Sequence, residues 1–388
     1  MSLSTATFLP FHRALIGDEE MEAVLDVLRS GWLTAGPRVK EFEAQFASYV
    51  GASHAIAVSS CTAALHLALA AIGLQEADEV ILPTMTFAAS GEVVLYFKAN
   101  PILVDSLPGS FHVDPAAIES AITARTRAIL PVHYAGYPCE MDAILDIGHR
   151  HGLKVIEDAA HALPSSYKGR SVGAIGDITC FSFYATKTLT TGEGGMITTA
   201  DAEYANRMRR LSLHGISKDA WKRYSADGNW RYDILEAGFK YNFTDLQAAL
   251  GIAQLSKCEA MRQSRAAIAA RYTESLAEID AFETPQFPQH VEHAHHLYVL
   301  LVNTESLRIG RDRVIEELKN RGIGTSVHFI PLHLHSLYRE LGYSAGQFPN
   351  AEERFERAIS LPIYPGMTDA DIDRVTEALR EIAREYGR

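Results

Sequence analysis

The chain has few cysteines and no long apolar run, and both absences restrict where the protein can work. Its four cysteines lie at positions 61, 139, 180 and 258, too far apart for a CxxC pair or a disulfide framework. Such cysteine usage is typical of a reducing compartment. No segment approaches the roughly 20 apolar residues of a membrane helix, and the first 20 residues lack the basic and apolar regions of a signal peptide. We therefore expect a cytoplasmic protein without a membrane segment.

The chain also has fewer basic residues than acidic ones. The 388 residues include 48 acidic and 36 basic side chains, a formal net charge of -12. Nucleic acids and membrane surfaces are polyanions, so this balance argues against both as partners. The sequence has neither the G-x-G-x-x-G motif that binds a dinucleotide nor the G-x-x-x-x-G-K motif that binds a nucleoside triphosphate. The histidine-rich residues 293–296 and 328–336 lack recognised ligand spacing, so we predict no metal site.

What the sequence does have is an alternation of short β-branched segments with amphipathic segments. This pattern is typical of parallel strands covered by helices, and 47% hydrophobic content over 388 residues is enough for a large core. The predicted strands are "HAIAVSS", "EVILP", "PILVDS", "RAILPVH" to His133, "LKVIEDA", "DITCFSF" and "GMITT". The segments from Thr62 and Met141 have helical spacing and stop at glycines. We predict an α/β large domain over residues 1–257.

The pattern of predicted helices and strands changes after about Lys257. One long amphipathic helix, "CEAMRQSRAAIAARYTESLAEI", is followed by the strand "HHLYVLLV" and by two further helical segments. This order predicts a smaller α+β domain over residues 258–388, with the long helix joining the two domains.

Three predicted strands end in residues that can do chemistry, and ligands of open α/β sheets gather at such ends. In "SSCTAAL" a strand leads into a helix, whose free N–H groups and Thr62 hydroxyl suit a phosphate. A plain helix cap explains the same residues. Asp158 lies at the end of the strand "LKVIEDA", and His161 follows three residues later; a buried carboxylate there needs a cationic or hydrogen-bonding partner, such as a protonated ring nitrogen. His161 fits either a ligand contact or an ordinary loop position.

The third strand end is "DITCFSFYATKTLTTGEGGMITT", with Ser182 in the strand and Lys187 five residues later. A lysine withdrawn from water favours its neutral amine, which attacks a carbonyl to form a Schiff base, and the glycines at 192, 194 and 195 let the backbone turn closely around a ligand. A solvated surface lysine is the alternative. Taken together, a phosphate turn, a carboxylate and an imine-forming lysine are the parts that pyridoxal phosphate requires.

These segments, with "GFKYNFTDLQAALG", resemble the DegT/StrS family of sugar-nucleotide aminotransferases, a branch of the fold-type-I pyridoxal-phosphate enzymes. The resemblance runs from "GWLTAGPRVKEFE" to "LPIYPGMT". It implies a large domain with a mostly parallel seven-stranded sheet and a small α+β domain. It also implies pyridoxal 5'-phosphate as cofactor, with pyridoxamine 5'-phosphate formed during turnover.

The resemblance also implies roles for individual residues. Lys187 is the Schiff-base lysine, Asp158 pairs with the pyridine nitrogen, and His161 lies near the phenolic oxygen of the cofactor. Phe87 stacks on the ring. Cofactor contacts are further implied for Cys61, Thr62, Ser182 and Asn242.

Within that set, Thr62 and Ser182 contact the phosphate, and Asn242 reaches the phosphate of the neighbouring subunit, which implies a homodimer with shared sites. Cys61 stands where the family more often has Gly or Ala. The implied donor is L-glutamate, released as 2-oxoglutarate, and the implied acceptor is a nucleotide-linked ketosugar.

The segments "GNWRYDILEAGFKYNFTDLQAALGIAQL" and "GTSVHFIPLHLHSLYRE" are most similar to the subgroup that aminates 4-keto sugars on UDP. The candidate substrate contacts are Trp32, Thr34, Trp230, Tyr241 and His328, each of which is also explained by packing. Amination of a 3-keto dTDP-sugar or a related cyclic ketone is the alternative. A dehydratase of the histidine-substituted kind is disfavoured by Lys187, and a binding-only regulator by the absence of a basic helix-turn-helix pattern.

Overall fold

The structure is a computed structural model that describes residues 8–217 and 232–388. Helices in these ranges are α1 (Asp18–Ser30), α2 (Pro37–Val50), α3 (Cys61–Ala71), α4 (Ala88–Leu95), α5 (Pro115–Ser120), α6 (Met141–His151), α7 (Ala202–Leu211), α8 (Asp245–Ser256), α9 (Cys258–Leu276), α10 (Arg311–Asn320), α11 (Ser336–Glu340), α12 (Pro349–Arg357) and α13 (Asp369–Tyr386). Strands are β1 (His54–Val58), β2 (Glu79–Pro83), β3 (Asn100–Val104), β4 (Thr126–Ile129), β5 (Lys154–Asp158), β6 (Ser166–Tyr167), β7 (Arg170–Ser171), β8 (Ile178–Ser182), β9 (Gly195–Thr199), β10 (Phe282–Glu283), β11 (Val291–Glu292), β12 (Tyr298–Val302) and β13 (Ala358–Leu361).

A seven-stranded sheet in the order β1-β9-β8-β5-β4-β2-β3 forms the centre of the molecule. Strands β8, β5, β4, β2 and β3 run parallel, whereas β9 is antiparallel to both of its neighbours. The prediction of a mostly parallel seven-stranded sheet is confirmed. Because the parallel strands share one direction, the turns that follow β2, β4, β5 and β8 open on the same edge.

Two hydrophobic cores cover the faces of this sheet. One contains the apolar residues of α3, including Leu65, Leu67 and Leu69, which are almost completely buried. The other contains aromatic residues of α2, β8 and the following turn, among them Phe42, Phe46, Phe181 and Phe183. Helix α3 is apolar all round, which fits its burial between the sheet and its neighbours.

A third core lies around the three-stranded sheet β10-β12-β13 and helices α10 and α13. Helix α9 contributes to two cores: Cys258 at its start belongs to a core of the large sheet, and Tyr272 and Leu276 near its end belong to the third core. The long helix thus connects the two regions. The exact division into residues 1–257 and 258–388 stays a prediction.

The predicted strand "RAILPVH" is longer than β4, which ends at Ile129. Pro131 has no N–H to donate to a neighbouring strand, so the regular ladder stops there. A single bridge between Val132 and Asp158 continues the pairing beyond it.

No helix among residues 8–217 and 232–388 combines the length and apolar character required to cross a membrane.

Candidate active site

The strand ends that the sequence analysis singled out meet around one cavity of about 470 Å³. It lies at the carboxyl ends of β5 and β8 and beside the start of α3. The predicted residues that line it are Cys61, Thr62, Phe87, Asp158, His161, Ser182, Lys187 and His328. The predicted phosphate turn, carboxylate and lysine are therefore parts of one site.

In the turn into α3, one residue caps the helix and a different residue is the predicted phosphate contact. Ser60 is the N-cap, and its hydroxyl accepts a hydrogen bond from the backbone N–H of Ala63 at 3.0 Å. The first N–H groups of a helix have no partner within the helix, and here they lie beside the Thr62 hydroxyl at the cavity. Gly195 packs behind the turn: a Cβ on Gly195 would lie 2.5 Å from the backbone of Ser60. Glycine at position 195 therefore allows β9 to pack directly against the turn.

Asp158 is the last residue of β5, and only 5% of it is exposed. Its Oδ2 accepts a hydrogen bond from the Ser90 hydroxyl at 2.7 Å, and its Oδ1 accepts one from the backbone N–H of Ala160 at 3.1 Å. Burial raises the pKa of the carboxyl, and the hydrogen bonds oppose that rise. A carboxylate has about four acceptor positions, so this one retains capacity for a further donor, preferably a cation.

Lys187 lies at the end of a turn in which its backbone N–H donates to the carbonyl of Tyr184 at 2.9 Å. The side chain is partly buried and lines the cavity. Burial lowers the pKa of the amine to about 8, against the opposing effect of the Asp158 carboxylate. A substantial fraction of the amine is therefore neutral near physiological pH, as nucleophilic attack requires.

His161 is a neutral hydrogen-bond donor. Its Nδ1 accepts the backbone N–H of Ala135 at 3.3 Å, so the ring proton is on Nε2. Burial keeps the pKa of His161 well below its ordinary value, and the nearby positive charge of Lys187 adds to this effect. Its ring packs against those of His296, 4.4 Å away, and Phe329, 5.7 Å away.

Phe87 and Ser182 both line the cavity. Phe87 precedes α4, is 59% exposed, and has its ring centroid 5.5 Å from that of Phe329. Ser182 is the last residue of β8. An exposed aromatic ring beside a cavity is available to stack on a planar ligand.

His328 is held by a hydrogen bond between its Nδ1 and the Ser360 hydroxyl at 2.8 Å. Burial lowers the pKa of His328 to about 4, and Lys187 contributes to the shift. The ring is therefore neutral near pH 7 and offers a hydrogen bond to a ligand without adding charge.

Four other predicted residues of the described ranges lie away from this cavity. Thr34 is exposed, and the Trp32 indole donates to the carbonyl of Ala35 at 3.2 Å. The ring centroid of Tyr241 lies 5.1 Å from that of Phe239, and the Tyr241 hydroxyl is hydrogen-bonded to a neighbouring histidine ring.

Asn242, the remaining member of that group, lines a second cavity of about 390 Å³ together with Arg209 and Arg210. Its predicted role is in the site of a neighbouring subunit, which a single chain does not test. Trp230 lies outside the described residues.

The structure adds residues that the sequence analysis missed. Phe11 and His12 come from the N-terminal segment, Thr86 from the turn after β2, and His296 and Phe329 from the C-terminal region. Thr86 and Phe329 directly adjoin the predicted residues Phe87 and His328, whereas Phe11 and His12 lie outside every motif that the sequence offered. The histidine-rich residues 293–296 did draw attention, and His296 is the member that reaches the cavity. Among the described residues, no three His, Cys, Asp or Glu side chains form a metal-binding group.

Comparison with known proteins identifies the chain. Residues 14–380 match the sequence profile of the DegT/DnrJ/EryC1/StrS aminotransferase family. The chain belongs to this family. Its members are sugar aminotransferases that depend on pyridoxal phosphate, so the predictions of family, fold, enzyme class and cofactor are confirmed.

Relatives in this family match almost the whole chain. The chain is 54% identical to the uncharacterized protein MJ1066 of Methanocaldococcus jannaschii, with 98% of each protein covered. It is 49% identical to the spore coat polysaccharide biosynthesis protein SpsC of Bacillus subtilis, with 97% of each covered. Among solved structures, the PMP form of Spr1654 of Streptococcus pneumoniae, a proposed sugar aminotransferase, superposes with a TM-score of 0.92. The two are 34% identical over 97% of this chain and 99% of that one.

The geometry fits the cofactor of the DegT/DnrJ/EryC1/StrS family. The start of α3 suits a phosphate, Asp158 has acceptor capacity for a protonated ring nitrogen, and Lys187 supplies an amine. The Nε2–H of His161 suits a phenolic oxygen. The individual residue assignments stay predictions.

Proposed function

We propose that this sugar aminotransferase moves an amino group from L-glutamate to a nucleotide-linked ketosugar, with a UDP-4-keto sugar as acceptor. The observation that carries the proposal is the convergence of Lys187, with its lowered pKa, and the buried Asp158 on one cavity. An ordinary surface lysine would not lie in the same cavity as a buried carboxylate. A dehydratase of the histidine-substituted kind would not carry this lysine.

When bound, pyridoxal phosphate supplies an electron sink for the charge left when the Cα proton of the amino donor departs. The protein supplies the rest. Asp158 holds the proton on the ring nitrogen, and His161 donates its Nε2–H toward the phenolic oxygen. Lys187, with a pKa of about 8, accepts and returns a proton near neutral pH with little energetic cost.

The sugar acceptor is supported by the relatives. SpsC is named for the biosynthesis of spore coat polysaccharide, and Spr1654 is described as a proposed sugar aminotransferase. The cavity is lined in part by the aromatic rings of Phe11, Phe87 and Phe329 and by the neutral His328. Such walls suit the apolar faces and hydroxyl groups of a sugar ring. The choice of UDP and of C4 rests on the similarity of two sequence segments.

We further propose a cytoplasmic homodimer with shared active sites. Asn242 is the residue assigned to the neighbouring site, and its position outside the Lys187 cavity agrees with that assignment. All four cysteines are free thiols, in agreement with a reducing compartment.

The proposal is tested by incubating the purified enzyme with cofactor, L-glutamate and each of a panel of UDP-, dTDP- and GDP-linked 3-keto and 4-keto sugars. We expect stoichiometric 2-oxoglutarate and amino sugar, with the highest kcat/KM for a UDP-4-keto sugar. Lys187→Ala is the inactive control, and Lys154→Ala, at the start of β5, is a matched lysine variant that should remain active. Preference for a 3-keto dTDP-sugar would support the alternative acceptor; turnover by Lys187→Ala would contradict the mechanism.

A further inference from the structure

The buried hydroxyl groups of Ser90 and Thr86 form a hydrogen-bonded chain with Asp158. The Ser90 hydroxyl lies 2.7 Å from Asp158 Oδ2, and the Thr86 hydroxyl lies 2.7 Å from the Ser90 hydroxyl. Ser90 is completely buried and Thr86 is 1% exposed. Burying a hydroxyl is unfavourable unless it is hydrogen-bonded, so the three side chains depend on one another.

The direction of the hydrogen bonds follows from the number of protons. An ionised carboxylate only accepts, so Ser90 donates its single hydroxyl proton to Asp158. Ser90 then has only lone pairs for Thr86, which must be the donor of the second bond. The chain therefore runs from Thr86 to Ser90 to Asp158.

Local structure holds both hydroxyls in place. Thr86 lies in the turn between β2 and α4, and Ser90 lies in the first turn of α4, where its backbone N–H donates to the carbonyl of Phe87 at 3.2 Å. Asp158 closes β5, which pairs with β8 at Cys180. The hydrogen-bonded chain thus joins a helix on one face of the sheet to the end of a central strand.

We propose that Ser90, supported by Thr86, is a positioning residue that fixes the orientation of the Asp158 carboxylate toward the cofactor's ring nitrogen. The inference rests on the proposed role of Asp158. With Oδ2 bound by Ser90 and Oδ1 bound by the N–H of Ala160, the carboxylate is held at both oxygens and its rotation is restricted. The remaining lone pairs are then presented in one direction. Hydrogen bonds of this kind also favour the ionised form of the carboxylate.

The test uses four holoenzyme variants: Ser90→Ala, Ser90→Thr, Thr86→Val and, as a matched control, Thr198→Val. Thr198 is a completely buried hydroxyl of β9 that donates to the carbonyl of Gly173 at 2.8 Å, away from Asp158. The first measurement is the nitrogen-15 NMR shift of cofactor labelled at the ring nitrogen, which reports the proton on that nitrogen. The second is the rate of the glutamate half-reaction, and the third is cofactor affinity by titration of the apoenzyme.

We expect Ser90→Ala to move the ring-nitrogen shift, to weaken cofactor binding and to slow the half-reaction about ten- to a hundredfold, the effect of losing a hydrogen bond to a charged group. Thr86→Val should show a smaller change of the same kind. Ser90→Thr keeps the hydroxyl and should restore the wild-type shift and rate, and Thr198→Val should match wild type in all three measurements. A merely structural role for Ser90 would not move the shift of the ring nitrogen.

A wild-type shift and rate in Ser90→Ala would overturn the inference. Asp158→Asn separates this failure from that of the proposed site. If Asp158→Asn also leaves the ring-nitrogen shift unchanged, the assignment of Asp158 itself is wrong. If Ser90→Ala fails to fold, Thr86→Val decides the question: an unchanged shift in that variant counts against the hydrogen-bonded chain.

Discussion

The lowered pKa of Lys187 predicts how the apoenzyme captures its cofactor. At a pKa of about 8, about a tenth of the amine is neutral at pH 7. An ordinary lysine, with a pKa near 10.5, would be neutral in about one molecule in 3,000 at that pH. Only the neutral amine attacks the cofactor's aldehyde, so the structure predicts about a 300-fold larger reactive fraction. The rate of capture should rise with pH and level off above about 8.

The assay is stopped-flow mixing of apoenzyme with pyridoxal phosphate from pH 6 to pH 11, following the visible absorbance that develops on capture. The same cofactor mixed with a lysine amide gives the pH dependence of the aldehyde itself, by which the enzyme rates are divided. Asp158→Asn removes a negative charge that favours the protonated amine, so its inflection should lie below that of wild type. An inflection near pH 10.5 in the wild-type enzyme would refute the argument that burial tunes Lys187.

Three further outcomes are expected. His161→Phe, which removes the Nε2–H donor, should slow the glutamate half-reaction about tenfold, whereas His161→Gln keeps an N–H donor and should stay within about threefold of wild type. Glu157→Ala leaves the buried groups that donate to this carboxylate without an acceptor, and it should lower the free energy of unfolding in urea by about 3–5 kcal/mol. The exposed Glu119→Ala should have a much smaller effect. Equal losses in the two variants would contradict this. Mixing inactive Lys187→Ala with inactive Asn242→Ala should restore partial activity if each site uses both subunits, and continued inactivity of a proven mixed dimer would contradict a shared site.

Glu157 also gives the stability a defined pH dependence. Burial alone would raise its pKa, but hydrogen bonds from His133, Thr179 and Gly176 lower it overall. A carboxyl with a lowered pKa in the folded state stabilises the protein above its unfolded pKa. That contribution is lost as the pH falls through the folded value. The acid limb of an unfolding curve below about pH 4.5 should therefore flatten in Glu157→Ala.

The sequence was most informative where function coincides with a strand end. The residues Thr62, Asp158, Ser182 and Lys187 follow apolar segments of strand length, and parallel strands bring such ends to one edge. Periodicity and chain order were sufficient to place them together. The extent of β4 was harder, because an apolar segment gives no sign of where hydrogen bonding ends at Pro131.

Residues that reach the cavity from distant parts of the chain could not be inferred in the same way. Phe11, His296 and Phe329 arrive through packing of the N-terminal and C-terminal segments against the large sheet. Tyr241 shows the converse: an aromatic residue inside a family motif packs against Phe239 instead of lining the cavity. Side-chain orientation at such positions depends on contacts across the fold, which one sequence does not encode in a local pattern.

The lining of the cavity by Phe11 and His12 has a practical consequence for experiments on this enzyme. A purification tag fused at the N-terminus would precede the cavity-lining Phe11 by ten residues of this sequence. The C-terminal helix, by contrast, ends at Tyr386, where the backbone carbonyl accepts a hydrogen bond from Arg308, which does not line the cavity. Kinetic comparisons between acceptor sugars are therefore best made with a C-terminal tag or with the N-terminal tag removed, so that measured specificity belongs to the protein's own residues.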